Sequence, residues 1–308
     1  MHLGMIGLGR MGGNMAERLR TAGLAVTGYD RDPEVSDVAT LAELVEALPA
    51  PRNLWVMVPA GDPTRGTLAE LAELLDEGDL VVEGGNSHFE EDQANAARLA
   101  ENGIHYVDTG VSGGVWGKEV GYGLMVGGSP EDVERLMPVF DALRPEGPRE
   151  EGFVHAGPVG AGHFTKMVHN GIEYGLMQAY AEGYELMHAR DDLVDDPGAV
   201  LNAWRRGTVV RSWLLDLMVL ALDSDPDLDD IRGYVEDSGE GRWTIDAAID
   251  AAVPVPAISA SLFARFTSRQ EDSPAMRMVA AMRNQFGAHA TKPAQDPAGE
   301  PPVGPATS

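Results

Sequence analysis

The chain has 308 residues, enough to bury a sizeable core and to form two domains. Its formal net charge of −26 argues against a surface built to grip a nucleic-acid backbone, which takes basic residues. The absence of cysteine excludes disulfides, thiolate chemistry and cysteine-ligated metal together, and no apolar stretch is long enough to cross a bilayer.

Only three of the 23 basic residues are lysines: Lys118, Lys166 and Lys292. Acid excess with scarce lysine is expected of a protein that works in high salt, where screening weakens self-repulsion. With no leading apolar segment behind a basic flank, a cytoplasmic location is expected.

In chain order, residues 3–6 read as a short apolar strand and lead into Gly7, Leu8, Gly9, Arg10, Met11 and Gly12, then a helix-compatible run to about Ala22. The next strand, 25–29, ends at Asp30. This is a βαβ dinucleotide fingerprint in its setting: the glycines permit a tight turn and bring pyrophosphate close to a helix N-terminus. An acid at the second strand end accepts the ribose hydroxyls and repels a 2′-phosphate, so Asp30 favours NAD over NADP, with Arg31 beside it as a competing signal for phosphate.

Further strands are expected at 53–58, 80–83, 104–108 and 123–126, separated by amphipathic runs such as 62–75 and 88–101. Alternating strand and helix signals predict a mostly parallel, doubly wound α/β sheet with ligands at the strand C-terminal ends. There lie Val58, Pro59, Ala60 and Gly61, then Gly84 to Ser87 with Asn86, then Ser112, Gly113 and Gly114.

After 153–156 the pattern turns helical: one unusually long helix from Pro158 to about His188, then helices at 198–205, 212–222, 229–238, 244–252, 257–267 and 273–286. The expected organisation is a dinucleotide domain at 1–157, an all-helical domain at 158–290 and a disordered tail at 291–308, which holds five prolines.

The long helix carries the most informative pattern. Lys166, His169, Asn170 and Glu173 stand at offsets of three, four and seven residues, on one helical face. Phe164, Met167, Val168, Ile172, Leu176 and Met177 surround them, so the helix is expected to be largely buried. A lysine and a glutamate in such a helix are costly unless paired or used. His2, His88, His105, His155 and His188 lack metal-ligand spacing, no metal site is expected, and these histidines read as structural or exposed.

The run from Lys166 to Gly175, Lys-Met-Val-His-Asn-Gly-Ile-Glu-Tyr-Gly, resembles the substrate-domain motif of the 6-phosphogluconate dehydrogenases, and other motifs follow in the family's order. The resemblance implies oxidative decarboxylation of 6-phosphogluconate, with Lys166 as general base and acid and Glu173 as the acid that protonates the product carbon. It assigns sugar-acid or nicotinamide contacts to His169 and Asn170, and substrate carboxylate and hydroxyls to Asn86, Ser112, Gly113 and Gly114. It puts Arg265 on the phosphate, and Arg283 and His289 in the neighbouring subunit's site, implying a homodimer or higher homo-oligomer. Family members that prefer NADP commonly carry a neutral residue where this chain has Asp30.

Two departures stand out. Ser238 falls where the long members have a phosphate-binding lysine, with Tyr174 and Glu240 as further candidates nearby, and the sequence stops where the long members continue. Both imply the short form. The nearest alternative is a β-hydroxyacid dehydrogenase of the 3-hydroxyisobutyrate type, which shares the glycine-rich approach to the lysine and the following asparagine but needs neither His169, Glu173 nor the arginines. A non-catalytic dinucleotide-binding regulator is the alternative of another class.

Overall fold

The computed structural model describes residues 1–292. The proposed tail, 291–308, therefore lies outside the described residues apart from its first two. Seven strands form one sheet: β1 (His2–Ile6), β2 (Ala25–Tyr29), β3 (Asn53–Val56), β4 (Leu80–Glu83), β5 (His105–Ser112), β6 (Gly123–Gly127) and β7 (Phe153–Gly157). Twelve α-helices accompany them among the described residues: α1 (Arg10–Thr21), α2 (Leu41–Ala47), α3 (Asp62–Leu74), α4 (Phe89–Ala100), α5 (Gly117–Val120), α6 (Pro130–Leu143), α7 (Ala161–His188), α8 (Pro197–Trp204), α9 (Trp213–Ser224), α10 (Glu240–Asp250), α11 (Pro256–Ser268) and α12 (Pro274–Gly287).

The strand order is β2-β1-β3-β4-β5-β6-β7, parallel except between β5 and β6. Alternation along the strands sorts the core onto two faces. Leu3, Met5, Trp55, Leu80, Val82 and Val107 join α1 and α6 on one side. Leu54, Val56, Val81 and Tyr106 join α2, α3 and α4 on the other. The order reverses beside β1, and the crevice there opens at the C-terminal ends of β1 and β3, where a doubly wound sheet takes its ligand.

α7 runs 28 residues, roughly 42 Å at 1.5 Å per residue. Glycines let its first half lie directly on β5 and β6. A Cβ on Gly110 would fall 2.3 Å from the Lys166 Cβ, and one on Gly162 would fall 2.6 Å from the Met125 carbonyl oxygen. No side chain of its own caps the helix; the Asp108 carboxylate on β5 instead accepts from the amides of Gly160 at 2.7 Å and His163 at 2.8 Å. The second half leaves the sheet and packs Tyr180, Tyr184 and Met187 against Leu201, Leu215, Val219 and Leu222 of α8 and α9.

Three expectations are corrected. Residues 229–238 are a short turn followed by irregular chain rather than helix: Asp225 accepts from the amides of Asp229 and Asp230, Leu228 takes a positive φ of 54°, and side-chain bonding to nearby amides competes with helix. α7 is not buried all round, because Phe164, Ile172 and Leu176 are exposed, the last two along a cleft. The strand expected at 104–108 continues to Ser112, which is thus the final residue of β5.

Candidate active site

The dinucleotide turn is built on close approach. Gly7 has φ 90°, and a Cβ on Gly12 would lie 1.9 Å from the Gly7 carbonyl oxygen. α1 begins after Gly9 with no side-chain cap, leaving its first amides for an anion. Asp30, at the end of β2, accepts from the Leu8 amide at 2.6 Å and the Asp32 amide at 3.0 Å, which fixes its carboxylate beside the turn, with exposed Arg31 following. These features fit a dinucleotide with free ribose hydroxyls.

Between this turn and α7 runs a cleft of about 1510 Å³. Gly9, Arg10, Met11 and Gly12 line one end; Val58, Pro59, Ala60 and Asn86 line the strand ends; Ser112, Gly113 and Gly114 face Lys166, His169, Asn170 and Glu173. The positive φ of Gly113 and Gly114, 128° and 53°, turns the chain away from β5 directly after Ser112.

Lys166, His169 and Asn170 of α7 form one hydrogen-bonded row with Ser112. Lys166 Nζ donates to Asn170 Oδ1 at 2.5 Å, His169 Nδ1 lies 3.1 Å from that same oxygen, and His169 Nε2 lies 3.3 Å from Ser112 Oγ. With Nδ1 donating to Asn170, a neutral His169 has Nε2 free to accept from the serine hydroxyl. Glu173 Oε2 stands 3.8 Å from His169 Nδ1. Burial pushes the Lys166 ammonium below its ordinary pKa, opposed by the carboxylates of Glu173 and Glu240. Burial thus favours the neutral amine that a base requires.

Other expected residues lie elsewhere. Gly7, Leu8, Asp30 and Arg31 sit under or beyond the turn rather than on the cleft wall. Tyr174 is buried behind α7, its hydroxyl accepting from the Ser238 amide at 3.3 Å, and the Arg265 guanidinium stacks 3.4 Å from its ring centre. Arg283 and His289 are exposed on and just after α12, away from the cleft of their own chain.

Sequence reading passed over several groups. His88 accepts from the Glu90 amide, packs on Phe89 and Trp243, and forms part of the cleft wall. Beneath the Gly84–Asn86 loop, Glu83, Asp92 and His163 are fully or almost fully buried together; His163 Nδ1 lies 2.7 Å from Asp92 Oδ2 and 3.7 Å from Glu83 Oε2. Arg18 of α1 donates to the carbonyls of Ala142, Lys118, Glu119 and Arg144, tying α5 and the end of α6 to α1.

The approach to α10 is held by Asp237, which accepts from Arg242 at 2.7 and 3.0 Å and from Arg269 at 2.8 Å. The bonds from Arg242, then from Arg269, outweigh burial and hold its carboxyl down at about 2. A depressed acid contributes stability above its unfolded pKa and loses it as pH falls through the folded value. Asp237→Asn is therefore expected to lower stability by on the order of 2 kcal/mol at neutral pH. Urea titrations should show the gap narrowing between about pH 4 and pH 2; a gap independent of pH would refute the assignment.

A dinucleotide turn on an open α/β sheet, facing a lysine-bearing row on a long helix, defines a nicotinamide-dependent dehydrogenase with a helical second half. Residues 2–145 match the NAD binding domain of 6-phosphogluconate dehydrogenase, and residues 162–295 match the 6-phosphogluconate dehydrogenase C-terminal domain. The chain belongs to the 6-phosphogluconate dehydrogenase family. It is 43% identical over 300 residues to the NAD(+)-dependent, decarboxylating 6-phosphogluconate dehydrogenase of Haloferax volcanii, covering 94% of this chain and 98% of that one. Among solved structures it is similar to the Plasmodium falciparum 6-phosphogluconate dehydrogenase, with TM-score 0.80 and 25% identity over 97% of this chain and 67% of the other. The fold is shared with 3-hydroxyisobutyrate dehydrogenase of Mycobacterium tuberculosis, with TM-score 0.68 and 21% identity over 92% of this chain and 99% of the other.

Proposed function

We propose that the chain oxidises and decarboxylates 6-phosphogluconate to ribulose 5-phosphate and CO2, with NAD as hydride acceptor. The observation that carries this reading is the row Ser112, His169, Asn170 and Lys166, with Glu173 at its end, across the cleft from the dinucleotide turn. A short β-hydroxyacid substrate needs no second acid beside the lysine, so Glu173 favours the decarboxylating reaction.

Neutral Lys166 takes the proton of the C3 hydroxyl as that carbon is oxidised. The bound dinucleotide supplies the hydride acceptor. Protonated Lys166 then polarises the new carbonyl, so the β-keto acid loses CO2 without a metal. Glu173 protonates C1 of the enediol. Asn170 fixes the lysine, His169 and Ser112 hold hydroxyls, and Asn86, Gly113 and Gly114 hold the carboxylate end. Residues 1–157 form the dinucleotide domain and 158–290 the substrate domain.

The reading extends to a cytoplasmic homo-oligomer that works in high salt. Its support is the charge balance, the Haloferax relative and the absence, among the described residues, of a helix long and apolar enough to cross a membrane. Among the described residues α12 has no buried side chain, and it exposes Met276, Met278, Val279, Met282 and Phe286, which suits a second copy that receives Arg283 and His289.

The test is initial-rate reduction of NAD and of NADP with 6-phosphogluconate across several-fold salt steps, with CO2 trapped. CO2 released in step with NADH is the expected result. Faster NADP reduction would overturn the cofactor assignment alone. Turnover only with short β-hydroxyacids would overturn the substrate.

A further inference from the structure

α10 is docked on α7 by two close contacts. Thr244 Oγ1 donates to the Met167 carbonyl at 2.8 Å, and Gly171 is the residue that makes room, since a Cβ there would lie 2.8 Å from Thr244 Cγ2. A turn earlier, a Cβ on Gly241 would lie 2.7 Å from the Tyr174 ring. This docking sets Glu240, the first residue of α10, into the cleft wall that also holds Lys166 and Asn170. Glu240 is 3% exposed. Its Oε2 accepts from Ser238 Oγ at 2.5 Å, while its Oε1 is buried without a hydrogen-bond partner among the described residues.

A buried carboxylate oxygen with no donor is costly, and a donor that arises during the reaction would relieve the cost. We propose that Glu240 is the positioning counter-charge for Lys166: when the lysine takes its proton, the ammonium gains Glu240 Oε1 as an acceptor while keeping Asn170. Glu173, half-exposed, is then free to act as the carbon acid. The inference rests on the dehydrogenase reading above and divides two carboxylates between two roles.

Several other titratable groups on the elements around Lys166 have partners of their own. Asp108 of β5 caps α7, and Asp92 of α4 is paired with His163. Glu91 of α4 pairs with Arg65, and His169 bonds to Ser112 and Asn170. Arg242 of α10 is held by Asp237 with Asp246 near it, and Arg265 of α11 lies on Tyr174. Glu173 and Glu240 are the carboxylates whose charge acts on the lysine.

The experiment is the pH profile of kcat/KM with 6-phosphogluconate and NAD at fixed salt, for wild type, Glu240→Gln and Glu240→Asp. An opposite charge within about 4–6 Å moves a pKa by roughly 1–3 units. In Glu240→Gln the acid limb, set by the free lysine, is therefore expected to move down by about one unit or more, with kcat reduced and NAD affinity unchanged. Glu240→Asp, with its carboxylate drawn back by one methylene, is expected to fall between. If Glu240→Gln does not fold, the Asp limb alone decides. An acid limb left in place, whether or not the melting temperature drops, reduces Glu240 to a structural partner of Ser238 and overturns the proposal. So does a limb that moves only in Glu173→Gln. Absence of wild-type turnover would instead overturn the dehydrogenase reading and this inference with it.

Discussion

Lys166→Met is expected to abolish measurable turnover while NAD binds as before. The lysine stem is fixed by its contact with Gly110, and methionine keeps an unbranched apolar stem there, so the helix and the dinucleotide turn stay in place. What disappears is the amine that, in the proposed reaction, takes the hydroxyl proton and then polarises the carbonyl. General acid–base groups each contribute roughly 10²–10⁴ in rate. Two steps depend on this one, so the expected loss in kcat lies at the upper end of that range. NAD affinity, read by quenching of tryptophan fluorescence, should change by less than about twofold, because the change adds no group to the turn at Gly7 to Gly12. Retained turnover would remove Lys166 from the chemistry. Retained biological activity without turnover would instead favour a dinucleotide-binding regulator.

His163→Leu should produce the largest loss of stability of any single change discussed. Burial opposes a charge on His163, but the carboxylates of Asp92 and Glu83 outweigh it and raise its pKa to about 10. Asp92 also accepts from the Tyr106 hydroxyl at 2.8 Å, so the cluster joins α7, α4, β4 and β5. Leucine would leave two buried carboxyls without their cation, and breaking a buried pair from one side costs about 3–5 kcal/mol. A histidine with a raised folded pKa gives its full stabilisation below the unfolded value of about 6.5 and loses it as pH rises through about 10. The difference between wild type and variant, measured by denaturant unfolding, is therefore expected to be largest below neutrality and to shrink toward pH 10. His163→Gln keeps a donor and should lose less. A difference under about 1 kcal/mol would mean that the carboxyls are satisfied without the imidazole.

Much of this was legible in the chain because its signals are local. The short apolar strand at 3–6, the glycine turn and Asp30 fall within 30 residues, and one helical face carries Lys166 through Glu173. The buried acid cluster was not legible. Residues 83, 92 and 163 come together only through the sheet order and the crossing of α7 over it, and no spacing rule links them. α6 was hidden by Pro138 inside it, although Ser129 caps it through the Asp132 amide. Helix spacing identified Lys166, Asn170 and Glu173 as neighbours, but exposure depends on what faces them. Ile172 and Leu176 therefore open onto the cleft instead of into a core. The acidic stretch around 229–238 failed for the opposite reason: Asp225, just before it, takes the amides of Asp229 and Asp230, which composition alone does not show.

The Arg18 clamp bears on what binding costs. The segment after Ser112 is a surface excursion of short turns, and such segments are ordinarily ordered by the ligand, which then surrenders part of its affinity to freeze them. Here one guanidinium, rooted in the helix beneath the dinucleotide turn, holds four carbonyls, two of them in α5 within that excursion. Much of the ordering entropy is thus met during folding. A ligand entering the cleft encounters a seat already set, and its two ends share one rigid floor.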